Sequence, residues 1–520
     1  MHQCLTIAEV LDHIFAHIPV SGNRVSLATV CHAFSEPALK ILWRDVSLWT
    51  LVVHTIPTSI LDVSEITMSR ENGSTTVECV ARLIRPPRPE EMDRLVYYAS
   101  FVRSLKVCGS YRKGKYMYPM KLDPSIFDAL SFLQRPTLPS LRCLSISYLP
   151  GWMCGYIDIF LVPDIRRLVF SMPANDQTCI PLMAQIRRSC EHVEALELRN
   201  LSHSQEEFQR VHEFIGSFGH IRQLDYMHIY PDDALLHMLA GIPTLEDLKL
   251  SLSALGLDMP ILGLQLRHAR CFQFLKMLEV TSPKLSYIEP LLSMVQSAPL
   301  EHLALKCTVL KLTSPSVNVS DTLLTRVTLS RLEQLHIQST DFLEDSLSTV
   351  SATCSPSSLK CLDIEHTYDA TGPAIPVDSM IRPLLAFHRI EHLRLTSRKT
   401  FKISDKTLEE FALSWPHLKC VYIVTGTDRN ASSITFKGIA NLAFHCPYLE
   451  HITLPVNVTR APTIEELGCQ NAHGNSSVKE LDFRSSPLPV ECIEEVASVL
   501  RHVFPAFQTI SIGPSIFEIY

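Results

Sequence analysis

The sequence predicts an α/β fold: a solenoid whose short parallel strands line a curved inner face with helices outside, preceded by an all-α segment. Three observations predict it. A short pattern, apolar-x-x-apolar-x-apolar, recurs fifteen times between Val102 and the C-terminus. Several segments between copies carry apolar residues at helical spacing. Residues 5–15, LTIAEVLDHIF, read as a strongly apolar helix with its own start signal, well ahead of any repeat.

That first helix is taken in order. Thr6 and Glu9 have the spacing of a capping box ahead of an apolar run, which predicts a helix start there. Ile7, Val10, Leu11, Ile14, Phe15 and Ile18 spread over more than one stripe, more than a single neighbour can cover. Part of that surface calls for a partner. Residues 51–100 are the least patterned. IRPPRPEEMDRLVYYASF holds a proline-rich break at 86–89 followed by a helix, and the region is expected to connect the N-terminal segment to the repeats.

The repeats begin at VRSLKV (102–107) and LRCLSI (141–146) and run through LEDLKL, LKMLEV, LEQLHI, LKCLDI, IEHLRL and LKCVYI to VKELDF and FQTISI (507–512). Their mean period, about 29 residues, lies at the upper end of the leucine-rich-repeat range. The last two apolar residues of each copy alternate, as a strand with one buried face requires, and the first packs beneath the turn into it. The remaining residues return along the outside. SDKTLEEFALS (404–414) and FKGIANLAFHC (436–446) read as helices, stopped by Pro416 and Pro447. One such unit cannot bury its apolar side, whereas a stack can. The 102–141 gap holds YRKGKYMYPMK (111–121), which interleaves basic and aromatic residues and is expected to be an exposed loop.

Composition narrows the function. With 46% apolar and 19% charged residues the chain can bury a large core. A net charge of −7 gives no bulk drive toward nucleic acid or an anionic membrane. No apolar run is long enough to span a bilayer and no secretory leader is evident, so a cytoplasmic or nuclear location is expected. The sixteen cysteines form no CxxC pair and are expected as reduced thiols. The Asn-x-Ser/Thr sequons are taken as coincidental. No GxxxxGK[ST], dinucleotide glycine fingerprint, HExxH or GxSxG is present, so neither an enzyme nor a bound cofactor is expected.

Both ends resemble one family. IAEVLDHIF (7–15), then SLATVCHAFSEPALK, then ILWR (41–44) is similar to the F-box of fungal F-box/leucine-rich-repeat proteins, and GIANLAFHCPYLEHITL (438–454) is similar to their cysteine-containing repeats. The resemblance implies an F-box over 1–50, a connecting region over 51–100 and a leucine-rich-repeat solenoid over 101–520. It also implies that the F-box helices bind a Skp-type adaptor, and through it a cullin, while the repeats capture a protein substrate for ubiquitin transfer. By position, Ile7, Ala8, Val10, Leu11, Ile14, Leu27, Val30 and Trp43 carry over to the adaptor face or the small core beneath it. The family's usual proline is Ala8 here, which removes a preorganised first turn. The alternative is a repeat scaffold for protein interactions with no ubiquitin-ligase role.

The pattern also predicts which side chains of the repeats meet a partner, because residues beside the buried pair point to the inner face. Middle positions give Lys249, Glu279, His336, Asp363, Arg394, Tyr422 and Asp482, with Ala304 and Thr453 between them. The first outward positions read His302, Gln334, Cys361, His392, Cys420 and His451. Those ligand types are strung in a line, whereas a zinc site needs about four converging tetrahedrally, so no metal site is expected.

Overall fold

A computed structural model describes residues 7–18, 23–69, 75–107, 109–113, 116–133, 137–146, 151–171, 176–199, 205–229, 233–252, 271–283, 288–307, 329–339, 350–351, 353–367, 375–376, 381–399, 401–424, 433–456, 463, 477–483, 493–512 and 515–518. The chain forms two compact units, Met1–Ile229 and Tyr230–Tyr520. Both are mixed α/β and both are built on a parallel sheet.

Three short helices open the first unit: α1 (Ala8–Ala16), α2 (Asn23–Ala28) and α3 (His32–Leu42). Helix α1 starts one residue later than the capping-box expectation. Ile7 is its N-cap, with extended backbone and no side-chain cap hydrogen bond, and Thr6 lies outside the described residues. The module has a core of its own, Leu11, Phe15 and Ala38, against which Ile18, Leu27, Ala28, Phe34 and Ile41 pack. Phe15 and Phe34 meet edge to face at 5.3 Å.

Past α3 the chain enters the sheet directly. Asp45–Ser47 is the first strand of a parallel series that continues through Ser104–Lys106, Cys143–Ile146, Arg167–Ser171, Ala195–Arg199 and Gln223–Ile229. Helices α4 (Leu48–Thr55) and α5 (Pro89–Ala99) follow the first strand. The proline-rich break and the helix after it are where the sequence put them; Glu91 accepts from the Arg88 backbone N–H at 2.8 Å and fixes the entry to α5.

One expectation needs correction here, and one region holds structure that the sequence did not announce. The connecting region contains an antiparallel hairpin, Leu61–Ser69 with Thr75–Leu83. The basic-aromatic insert is no loop: Gly109–Lys113 pairs antiparallel with Tyr116–Leu122, which pairs in parallel with Thr75–Leu83. A small four-stranded sheet results. Its buried end, Leu61, Ala81 and Leu122, gives these strands the apolar anchor an isolated hairpin lacks.

In the second unit the parallel series is Asp247–Leu252, Met277–Ser282, His302–Cys307, Gln334–Ser339, Cys361–His366, His392–Ser397, Cys420–Val424, His451–Thr453, Glu480–Phe483 and Thr509–Ile512. Ser515–Glu518 closes this end antiparallel. Each of the fifteen sequence copies carries one of the strands, and the first apolar residue of every copy, from Val102 to Phe507, is buried. That residue sits under a turn with a fixed bonding scheme. The Glu333 carbonyl accepts from both Lys360 N–H (2.8 Å) and Cys361 N–H (3.0 Å), and Lys360 O in turn accepts from Glu391 and His392. Strand pairing is thereby carried one residue into the turn, so the entry is rigid from repeat to repeat.

The returns at 404–446 match their sequence reading. Helix Asp405–Ser414 is capped by Ser404, which accepts from Thr407 N–H, and helix Phe436–His445 is capped by Thr435. Each ends just ahead of its proline. The inner ends are closed by Trp415, fully buried and stacked on Phe411 at 4.5 Å, and by Cys446, whose thiol donates to Trp415 O at 3.4 Å.

Candidate functional site

Two surfaces gather the residues singled out in the sequence. On α1 the apolar residues separate into adjoining stripes. Leu11, Phe15 and Ile18 turn into the module's core, while Ile7 (47% exposed) and Ile14 (43% exposed) remain on the surface with Val10 half-buried between them. Ala8 and Val30 are exposed as well. Leu11 is fully buried and Leu27 packs against it, so both belong to the core beneath the face. Trp43 is half-buried and stacks on Tyr98 of α5 at 4.5 Å, over which Arg94 also lies, so it joins α3 to α5. Val25, 62% exposed on α2, is a surface apolar residue the sequence reading passed over.

The second surface is the polar face of the Tyr230–Tyr520 sheet. Lys249, Glu279, Ala304, His336, Asp363, Arg394, Tyr422, Thr453 and Asp482 stand directly opposite one another on successive strands, one unbroken row. Within it the charges pair sideways. Glu279 lies 3.4 Å from Lys249 and accepts a hydrogen bond from Lys306, which projects from the next outward position of the neighbouring strand. Burial works to raise the Glu279 pKa, but the two lysines outweigh it and hold the carboxyl below its ordinary value. Farther along, His336 Nδ1 lies 3.0 Å from Asp363 Oδ2, Arg394 Nε lies 3.8 Å from Asp363 Oδ1, and the Arg394 guanidinium sits 4.8 Å over the Tyr422 ring. Asp482 ends the row beside Ser511.

The first outward positions form a parallel row, Met277, His302, Gln334, Cys361, His392, Cys420, His451 and Glu480. Burial pushes the Cys361 and Cys420 thiols up and the His392 imidazole down, so these groups stay uncharged at neutral pH. Among the described residues no group of three His, Cys, Asp or Glu converges to hold a metal ion. Cys31, Cys79, Cys143, Cys154, Cys190, Cys271, Cys354, Cys361, Cys420 and Cys446 carry free thiols, and no described helix is long and apolar enough to cross a membrane.

No protein-family model and no curated protein matches this chain. Among solved structures, the crystal structure of a Rad7 and Elc1 complex in yeast aligns with a TM-score of 0.34 at 10% identity, covering 83% of this chain and 89% of that one.

A third row went unnoticed in the sequence although it was visible there. From the copy at 245 to the copy at 478, the second residue reads Glu246, Lys276, Glu301, Glu333, Lys360, Glu391, Lys419, Glu450 and Lys479. Lysines pair backward with the glutamate of the preceding repeat: Lys276 with Glu246 at 3.1 Å, Lys360 with Glu333 at 2.8 Å, Lys419 with Glu391 at 2.6 Å and Lys479 with Glu450 at 3.2 Å. The Lys419 and Lys479 hydrogen bonds lower the pKa of Glu391 and Glu450. These pairs are solvent-screened, so they select the register of neighbouring repeats more than they hold the stack together.

Proposed function

We propose that the chain is a non-catalytic substrate receptor of an SCF-type ubiquitin ligase, with the α1–α3 module as an F-box and the parallel-strand units as a leucine-rich-repeat solenoid. The single observation that carries the reading is the division of labour within α1. Leu11 and Phe15 give the module a core of its own, and that leaves Ile7, Ile14 and Val30 on the surface of a separately packed unit. An apolar helical face of this kind suits a Skp-type adaptor, which in turn would bring a cullin. The polar row from Lys249 to Asp482 is the surface for a protein substrate. Chemistry belongs to the partners: an acceptor lysine held near a charged conjugating enzyme reacts at high effective concentration. The receptor acts in the cytoplasm or nucleus.

The test is capture of purified full-length chain by an immobilised Skp-type adaptor. Ile14→Glu and Val30→Glu are expected to lower capture at least tenfold with an unchanged circular-dichroism spectrum and melting temperature. Leu11→Glu cannot serve, because it buries a charge in the core and unfolds the module. No capture of the intact chain, or capture indifferent to both surface changes, overturns the reading in favour of a repeat scaffold without ligase role.

A further inference from the structure

The small sheet of the first unit has one guarded margin and one open one. Its strand order puts Leu61–Ser69 at one margin and Gly109–Lys113 at the other. Natural sheets blunt their margins with lysine, proline, a bulge or a covering element, because a free row of N–H and C=O groups templates another strand. Gly109–Lys113 ends in Arg112 and Lys113. Leu61–Ser69 contains neither lysine nor proline, and its nine residues pair one-to-one with Thr75–Leu83 without a bulge. It is also uncovered: Val63 (48%) and Ile66 (42%) are exposed, one on each face, and so are Glu65 and Thr67. Two hydrogen bonds settle the backbone direction. Ile84 N–H donates to Ile60 O at 2.9 Å, and Ala81 O, facing the other way, accepts from Asp123 N–H at 2.9 Å. Even-numbered residues of Leu61–Ser69 therefore bond into the sheet, while Val63 and Thr67 turn their N–H and C=O to the open side.

We propose that this margin is a dimerisation surface, occupied by the same strand of a second copy of the chain, antiparallel to it and related by a two-fold axis at Ile66. A strand meeting its own copy about an axis through a residue always sets outward-facing groups against outward-facing groups, so its hydrogen bonding is self-complementary. Charge and apolar exposure then choose the axis. An axis at Glu65 sets that carboxylate against its copy, and like charges directly opposite are destabilising. An axis at Ser64 sets Val63 against Glu65 and the exposed Ile66 against Asp62. An axis at Ile66 pairs residues 63–69 with 69–63 and sets Glu65 against Thr67. It also brings Ile66 against its copy in a non-hydrogen-bonded pair, where side chains are closest. Asp62, whose carboxylate already takes Arg82 Nε at 2.8 Å, falls outside that pairing. A strand pair of this length buries less than a standard interface, so the dimer is weak and concentration-dependent. The inference does not depend on the ligase reading.

Sedimentation velocity of the full chain from about 1 to about 100 μM is expected to show a monomer–dimer equilibrium. Thr67→Pro removes an outward N–H and spares the pairing with Thr75–Leu83. It should weaken the dimer by roughly tenfold or more at an unchanged melting temperature, through the loss of two hydrogen bonds related by the axis. Ile66→Pro, whose N–H points into the sheet, should instead lower the melting temperature. Register is read separately. Ile66→Cys treated with oxidised glutathione should give a linked dimer, joined at position 66 of both copies by mass spectrometry and absent from the native chain, whereas Glu65→Cys should not link to its copy. If Thr67→Pro lowers the melting temperature, the Ile66→Cys link decides alone. A monomer at every concentration with no link at position 66 overturns the proposal and leaves the margin to a strand of another protein. A dimer indifferent to Thr67→Pro at unchanged melting temperature overturns it by moving the interface elsewhere, and a link at Glu65→Cys in place of Ile66→Cys by moving the axis. Open-ended assemblies lost on Thr67→Pro overturn it in favour of pairing with the margin that carries Arg112 and Lys113.

Discussion

Helices Asp405–Ser414 and Phe436–His445 approach closely at Gly438, and this contact yields the sharpest stability prediction. A Cβ added at Gly438 would meet Asp405 Oδ1 well inside contact distance, Asp405 Cγ at 2.8 Å and Asp405 Cα at 3.2 Å. That carboxylate is already in use. Its Oδ1 accepts from Thr435 N–H at 2.7 Å and its Oδ2 from the Thr435 hydroxyl at 2.6 Å, so it holds the first turn of the following helix. Gly438→Ala therefore displaces a cap, worth about 0.5–2 kcal/mol, and overpacks a tight contact, about 1–3 kcal/mol. Against this stands the helix propensity of Ala over Gly, about 1 kcal/mol. The net expectation is destabilisation by about 1–3 kcal/mol. In an Asp405→Ala background the cap is already gone and the two closest contacts, with Oδ1 and Cγ, go with it, leaving Cα at 3.2 Å, so the same change should cost close to nothing. Hydrogen-exchange protection of peptides spanning 404–446, with a urea titration of all four proteins, measures the cycle. Equal cost in both backgrounds, or a stabilised Gly438→Ala single variant, would refute the argument.

Further outcomes follow from other contacts. Ala8 is exposed at the first position of α1 and Ile7 before it is already extended, so Ala8→Pro should fit and raise the module's stability by about 0.4–1 kcal/mol, read as a higher melting temperature. Glu91 is drawn down to about 2 by its hydrogen bond from Arg85 and then by the Arg88 backbone N–H. A lowered carboxyl contributes stability that is full above the unfolded pKa and lost as pH falls through the folded one; the melting-temperature gap between the native chain and Glu91→Gln should hold at pH 5 and narrow toward pH 2, and a gap that widens would contradict it. Burial pushes the Cys190 and Cys446 thiols up to about 12. Mass spectrometry after iodoacetamide at pH 8 should find both unmodified in the folded chain and alkylated in urea.

The strands were legible in the sequence because one short pattern fixes three burial positions at once. In LKCLDI (359–364), Leu359 must sit under the turn and Leu362 and Ile364 must face the core, which leaves Cys361 and Asp363 no direction but outward. Repeating that constraint through the chain set the register, and so the Lys249-to-Asp482 row could be written down residue by residue. The small sheet of 61–83 and 109–122 carries no such constraint. Among its residues of described burial the buried ones, Leu61, Ala81 and Leu122, cluster at one end, its strands mix apolar and polar residues without clean alternation, and its outer pair reads like solvated loop. The three-residue strand Asp45–Ser47 is shorter than any periodicity can reveal.

What periodicity withholds is partnership, and the two surfaces lose different things for that reason. On α1 every candidate residue is apolar, so helical spacing defines two adjoining stripes without saying which one the module keeps; the choice is made by Phe34 and Ala38 of α3, which claim Phe15 and Leu11. A residue named for its pattern can therefore be core or surface, and Leu11 and Ile14, only three positions apart, end on opposite sides of that line. On the sheet the row is fixed but its pairings run diagonally. Lys306 stands opposite Thr281 in register, yet its ammonium reaches Glu279, two residues back on that strand, because a long side chain spans the diagonal as easily as the direct step. The same reach leaves Asp363 with one oxygen engaged and one empty: His336 and Arg394 are both directly opposite it, but Arg394 leans over Tyr422 and holds back from a short bond. Which charges cancel and which remain unpaired on the face is thus decided by side-chain reach across strands, a quantity that enters only once the strands are set beside one another.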